Sequence, residues 1–67
     1  MDPDSLRGAN LMIALHGARA ETVARRRAEQ LRRHGHPSTA EIWEDVTAAI
    51  DAIVRQQSHP SAHTALA

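Results

Sequence analysis

Five histidines and eight basic residues, all of them arginine, are the side chains of this 67-residue sequence best suited to bind a metal, hold a phosphate or move a proton. Five of the arginines fall in the stretch VARRRAEQLRR, from Val23 to Arg33. Arginine presents a planar fork of donors that matches phosphate, so the run first suggests a grip on nucleic acid. Placed on a helix at about 100° per residue, it divides. Arg19, Arg25, Arg26, Arg32 and Arg33 fall on one side, with Ala20, Val23, Ala24, Ala28 and Leu31 on the other. Glu21 with Arg25, and Glu29 with Arg33, stand at the spacing of intrahelical ion pairs, which predicts a solvated and partly self-neutralised face.

Arg27 differs from its neighbours because its helical angle carries it into the apolar arc near Val23, Ala24 and Leu31. Two readings are open. Its stem can cover the core while the charged head reaches water, or the guanidinium forms an inward ion pair with a carboxylate of another helix or of a partner chain.

The histidines raise a metal site. His34 and His36 are two apart in a turn, and His59 and His63 would share a face if the tail were helical. The absence of cysteine and of carboxylates at a ligand spacing argues the other way, and His16 and His34 sit near helix C-termini, where imidazolium is favoured by free carbonyls and the dipole. No metal ligand is assigned, and no cofactor. Nor is a catalytic residue assigned. Ser38 or Ser58 beside a histidine lacks an orienting acid, and Glu41, Glu44 and Asp45 share a face without an apolar wall to perturb them.

These side chains need elements to hold them, and the local signals predict three helices. The first runs over about 3–16, with Asp2 as N-cap, Pro3 at the first helical position and Gly17 as the stop. The second covers about 18–34 and ends at Gly35; the third covers about 39–57, opened by a Ser38–Glu41 capping box with Pro37 packing on Ile42. Residues 58–67 carry a proline and small residues without apolar periodicity, which predicts a flexible tail. The expectation is an all-α domain over 1–57, a small three-helix bundle.

In the third helix Ile42, Trp43, Val46, Ala49, Ile50, Ile53 and Val54 share an apolar face, with Glu41, Glu44, Asp45 and Asp51 behind it. The first helix spreads Leu6, Ala9, Leu11, Met12, Ile13 and Leu15 over roughly 220°, more than two neighbours would cover. Either that helix is central or part of its surface meets another chain. Trp43, the only aromatic residue, is read as the largest core residue or as an anchor of that same interface.

Composition narrows the class. Eight basic residues against eight acidic give a net charge of zero, against the pattern of a wholesale polyanion binder. The second helix carries six arginines and two glutamates, +4, whereas the third carries four acids and Arg55, −3. A helix-turn-helix reads DNA with its second helix, and here the helix after the turn is the acidic one. No apolar run approaches the roughly 20 residues that span a bilayer, and the start MDPDSLRG is acidic where a secretion signal is basic, so a soluble cytoplasmic chain is expected.

The run from Ala9 to Ile53 resembles a family of short helical proteins common in alphaproteobacteria, a domain of unknown function. The residues that carry the likeness are His16-Gly17, alanines 20, 24 and 28, Gly35, Trp43, Val46 and Ala49-Ile50. His36-Pro37 departs from the family pattern, which has an acidic residue after the turn glycine. The resemblance implies a compact helical fold and a bacterial source, and it lends no activity. Together these readings favour a non-catalytic interaction or accessory protein that binds a protein partner or self-associates, through Leu6, Leu11, Met12, Leu15 and Trp43. The second reading is a small nucleic-acid-associated regulator using Arg19, Arg25, Arg26, Arg32 and Arg33.

Overall fold

The computed structural model describes residues 2–57, and among these no strand occurs. Helix α1 spans Pro3–His16, a 3-10 turn follows at Gly17–Arg19, α2 spans Ala20–Arg33 and α3 spans Pro37–Gln57. The expected tail, with Ser58, His59 and His63, lies outside the described residues.

The expectation of three separate helices is corrected. Residues 3–33 form one helical stretch that is bent rather than interrupted, and only 37–57 stands apart from it, so the architecture is two helical stretches and not a three-helix bundle. The reason lies at Gly17. Its φ of 57° and ψ of −128° fall in a region open to glycine alone, and its N–H still reaches the Ile13 carbonyl to close the last turn of α1. The backbone then tightens into the 3-10 turn, and the Ala20 N–H bonds the Gly17 carbonyl. A His-Gly pair therefore turns the helix axis here without inserting a loop.

The true interruption follows the second His-Gly pair. The His36 N–H bonds the Leu31 carbonyl at 2.8 Å and the Gly35 N–H bonds the Arg32 carbonyl at 3.2 Å. With Gly35 at φ 82°, this is a Schellman ending, and it satisfies carbonyls that the end of α2 leaves free. The start of α3 corrects a second expectation. The Ala40 N–H bonds the His36 carbonyl at 3.0 Å, so His36 is the N-cap, Pro37 the first helical residue, and Ser38 lies inside the helix. Proline has no N–H to leave unpaired at that position, so its fixed φ opens the helix two residues earlier than the capping box would. At the other end the reading holds: Asp2 precedes Pro3, and the Leu6 N–H bonds the Asp2 carbonyl at 3.1 Å.

The core is built mostly of alanine. Ala9, Ala20, Ala24, Ala28, Ala40 and Ala49 are buried with Met12, Val46 and Ile50, and Ile50 is the largest side chain fully enclosed among the described residues. Small side chains let α2 and α3 pack closely along the hairpin that Gly35 creates. On the other flank α1 approaches α3 at Gly8, where an added Cβ would stand 3.2 Å from a Val46 methyl. Gly8 costs α1 about 1 kcal/mol of helix propensity, and its position explains why it stands inside the helix. Ser5, buried three residues before it, donates its hydroxyl to the Asp2 carboxylate at 3.5 Å.

Candidate interaction surface

The arginine face is less free than its sequence suggests. Arg25 pairs with Glu21, Arg33 with Glu29 at 3.8 Å, and Arg32 reaches across to α3, where its Nε and Nη2 donate to the two oxygens of Glu44 at 2.6 and 2.7 Å. The first two pairs were legible from spacing; the third depends on how the hairpin brings α2 over α3. Arg19 and Arg26 remain without a carboxylate among the described residues. So does Arg27. Its helical angle left two readings, a stem over the core or an inward ion pair; within the described chain it is exposed, has no carboxylate of another helix beside it, and lines a groove with an apolar floor, as the first reading has it.

The fork from Arg32 is a bidentate, charge-assisted link between two helices. Its hydrogen bonds pull the Glu44 carboxyl below its ordinary value, with partial desolvation opposing and the Arg32 charge assisting, and the same bonds raise Arg32. A carboxyl whose pKa is depressed by folding contributes stability above its unfolded value of about 4.3, and that contribution fades as pH falls through the depressed value. Both groups are exposed, so the effect is modest. Acid titration of the melting temperature is expected to fall more steeply for the native chain than for Glu44→Gln below about pH 4. Superimposable curves would show that the fork adds nothing.

The five residues expected to bind a partner do not form one patch. Leu11 and Leu15 are 59% and 67% exposed, one turn apart on the side of α1 that turns away from Ala9 and Met12. Leu6 is 36% exposed and sits on the flank of the helix. Met12 is buried and belongs to the core, which corrects its place in that set. Trp43 is half-buried, packed against the core rather than enclosed by it. Two exposed residues were missed: Ile42 and Val54, placed on the apolar face of the third helix by periodicity, are 60% and 43% exposed.

Two grooves lie where the helices meet, and neither is lined by Leu6, Leu11 or Leu15. Met12, His16, Val23, Arg26, Arg27, Gln30 and Trp43 line one of about 330 Å³, with an apolar floor, two unpaired arginines and no carboxylate. A neighbouring depression shares Arg27 and Gln30 and continues to Leu31, His34 and His36. The opposite end of α1 is different. Asp2, Asp4, Ser5, Ile42, Asp45 and Val46 line a groove of the other sign. Arg7 approaches Asp4 at 3.5 Å, but Asp45 has no cation beside it among the described residues. Among those residues no group of three His, Asp or Glu side chains could hold a metal ion, and no helix is long and apolar enough to cross a membrane. Comparison of the chain with protein-family models, curated proteins and solved structures found no match.

Proposed function

We propose that this chain is a small non-catalytic interaction protein, and that the outward face of α1 is the surface it uses. The observation that carries the reading is the placement of Leu11 and Leu15. Both are exposed on a helix that supplies Ala9 and Met12 to the core, while that core is made chiefly of alanine. A small chain covers a limited share of its apolar surface and gains from a partner that covers more. Large leucines left outside and alanines held inside are the distribution that association would rationalise. The basic face supports this less well as a nucleic-acid surface, because three of its five expected arginines are each paired with a glutamate.

The double variant Leu11→Glu/Leu15→Glu is expected to keep its helical circular dichroism and to lose association, read as hydrodynamic mass and as capture of other proteins by the tagged chain. Substitution at exposed sites usually changes stability by no more than about 0.5 kcal/mol, so loss of binding would not report unfolding. Native and variant chains indistinguishable in both assays would overturn the proposal.

A further inference from the structure

We infer that the groove where Met12, Val23 and Trp43 meet Arg26 and Arg27 is a second binding site, and that its occupant is a short acidic segment of another protein carrying a large apolar side chain. The site does not draw on the exposed leucines of α1, since neither Leu11 nor Leu15 lines it. Charge is the first argument. Where Arg25 and Glu29 of α2 share a depression with Glu44 and Thr47 of α3, the charges cancel: Arg25 pairs with Glu21, Arg33 with Glu29 and Arg32 with Glu44. Where α2 meets α1, neither Arg26 nor Arg27 has a carboxylate beside it among the described residues, and no Asp or Glu lines the groove or its neighbouring depression. Two adjacent cations thus stand uncompensated over one groove, although the chain as a whole is neutral. That arrangement selects a ligand of opposite sign.

Shape is the second argument. Met12, Val23 and the half-buried Trp43 supply an apolar floor, and the neighbouring depression shares Arg27 and Gln30 and adds Leu31, His34 and His36. From Val23 to Leu31 the two follow about 12 Å of α2, the reach of about four extended residues. A free anion such as phosphate would engage the guanidinium groups and leave the floor wet. A segment that lays an aliphatic or aromatic side chain on Met12 and Trp43, with carboxylates on either side of it, covers the floor and meets both arginines in charge-assisted hydrogen bonds. His34 and His36 at the far end bring imidazole groups and no acid, so the acidic character of the ligand is unopposed along the whole groove. Nucleic acid fits less well, because base stacking needs aromatic platforms and Trp43 is the only one in the chain.

Because Trp43 is the sole aromatic residue and lines the groove, its fluorescence reports occupancy directly. The full-length chain is titrated with the capped peptide acetyl-DELLDE-amide, and with acetyl-DESSDE-amide and acetyl-KKLLKK-amide as counterparts lacking the apolar side chains or the acids. A saturable change in Trp43 emission is expected with the first peptide, and binding about tenfold weaker or absent with the other two. Two variants of equal net charge then locate the site. Arg26→Gln/Arg27→Gln is expected to weaken binding about tenfold, whereas Arg25→Gln/Arg33→Gln, whose arginines are paired with glutamates, changes it by no more than about twofold. Glutamine keeps the helix propensity of arginine, and circular dichroism checks that both variants fold. Leu11→Gln/Leu15→Gln is expected to bind the peptide as the native chain does, so this site and the proposed face of α1 fail separately. Emission unchanged up to millimolar acidic peptide, equal loss in the two arginine variants, or equal binding of the serine peptide would overturn the inference. So would emission that shifts with the concentration of the chain alone, the mark of a second copy in the groove, or an oligothymidylate that binds through Arg26 and Arg27 more tightly than the acidic peptide.

Discussion

Replacing Ile50 with alanine is expected to destabilise the chain by about 3 kcal/mol, within the range seen when a large aliphatic side chain is removed from a closed core. Ile50 is 1% exposed, and among the described residues no larger side chain is fully enclosed. Its surroundings cannot collapse easily into the space. The neighbours in its cluster include Ala9, Ala20, Ala24 and Ala49, whose short side chains have no rotamers with which to fill a void. A chain of this length has a total stability of roughly 3–10 kcal/mol, so the loss is a large share of what is there. For a domain this small each kcal/mol moves the melting temperature by about 4–8 °C, which places the expected fall between roughly 12 and 24 °C. Thermal melts followed by far-ultraviolet circular dichroism at matched protein concentration would measure it. A fall under about 5 °C would mean that the alanine seams, and not Ile50, hold the helices together.

The parts of this fold that sequence reveals are those governed by residues within one turn of each other. Asp2-Pro3 marks a helix start, Gly35 marks an end, and the spacings from Glu21 to Arg25 and from Glu29 to Arg33 mark ion pairs, because each depends on local backbone geometry alone. The two His-Gly pairs show where this stops working. Both look like helix stops, yet Gly17 passes the chain through a 3-10 turn into a continuing helical stretch and Gly35 passes it through a reversal. The difference lies in what the following residues bond and pack against, which a dipeptide does not specify. Pro37 and Ser38 compete for the same helix start, and the competition is decided by a turn that only the packed hairpin defines.

The candidate surface was legible in kind and not in detail. A wide apolar arc on α1 says that part of the helix is uncovered, but it does not say which part. Packing chose Ala9, Met12 and Ser5 for the interior and left Leu11 and Leu15 outside, so the smaller residues went in and the larger stayed out. Close approach at Gly8 explains the choice, since helices that nearly touch admit small side chains between them and exclude leucine. Met12 is long and unbranched and fits where leucine does not. Arg27 follows from the same geometry. An inward angle on a helix packed through alanines leaves a shallow groove, and a long side chain crosses it to reach water.

Close packing through small residues also makes the seam intolerant of growth, and this yields the second large effect. Ala20, Ala24 and Ala28 recur every fourth residue along α2, all buried, with Ala24 wholly inaccessible. A ridge of methyl groups lets α2 pack against the α3 side chains Val46, Ala49 and Ile50 in one closed cluster. Ala24→Leu inserts three more carbons into that seam, and overpacking of this kind costs about 1–3 kcal/mol, more where neighbours cannot yield. Here the seam is already closed around Ala24 by a cluster that includes Val46, Ala49 and Ile50, so a loss near the upper figure is expected, with α2 and α3 forced apart and the Arg32–Glu44 fork broken as a secondary effect. The same substitution at Ala52, which is exposed on α3, adds the same carbons in solvent and is expected to change stability by no more than about 0.5 kcal/mol. Urea unfolding of the two variants side by side separates crowding from composition. Equal midpoints would show that the seam has room to spare and that α2 does not lie against α3 as closely as its alanines imply.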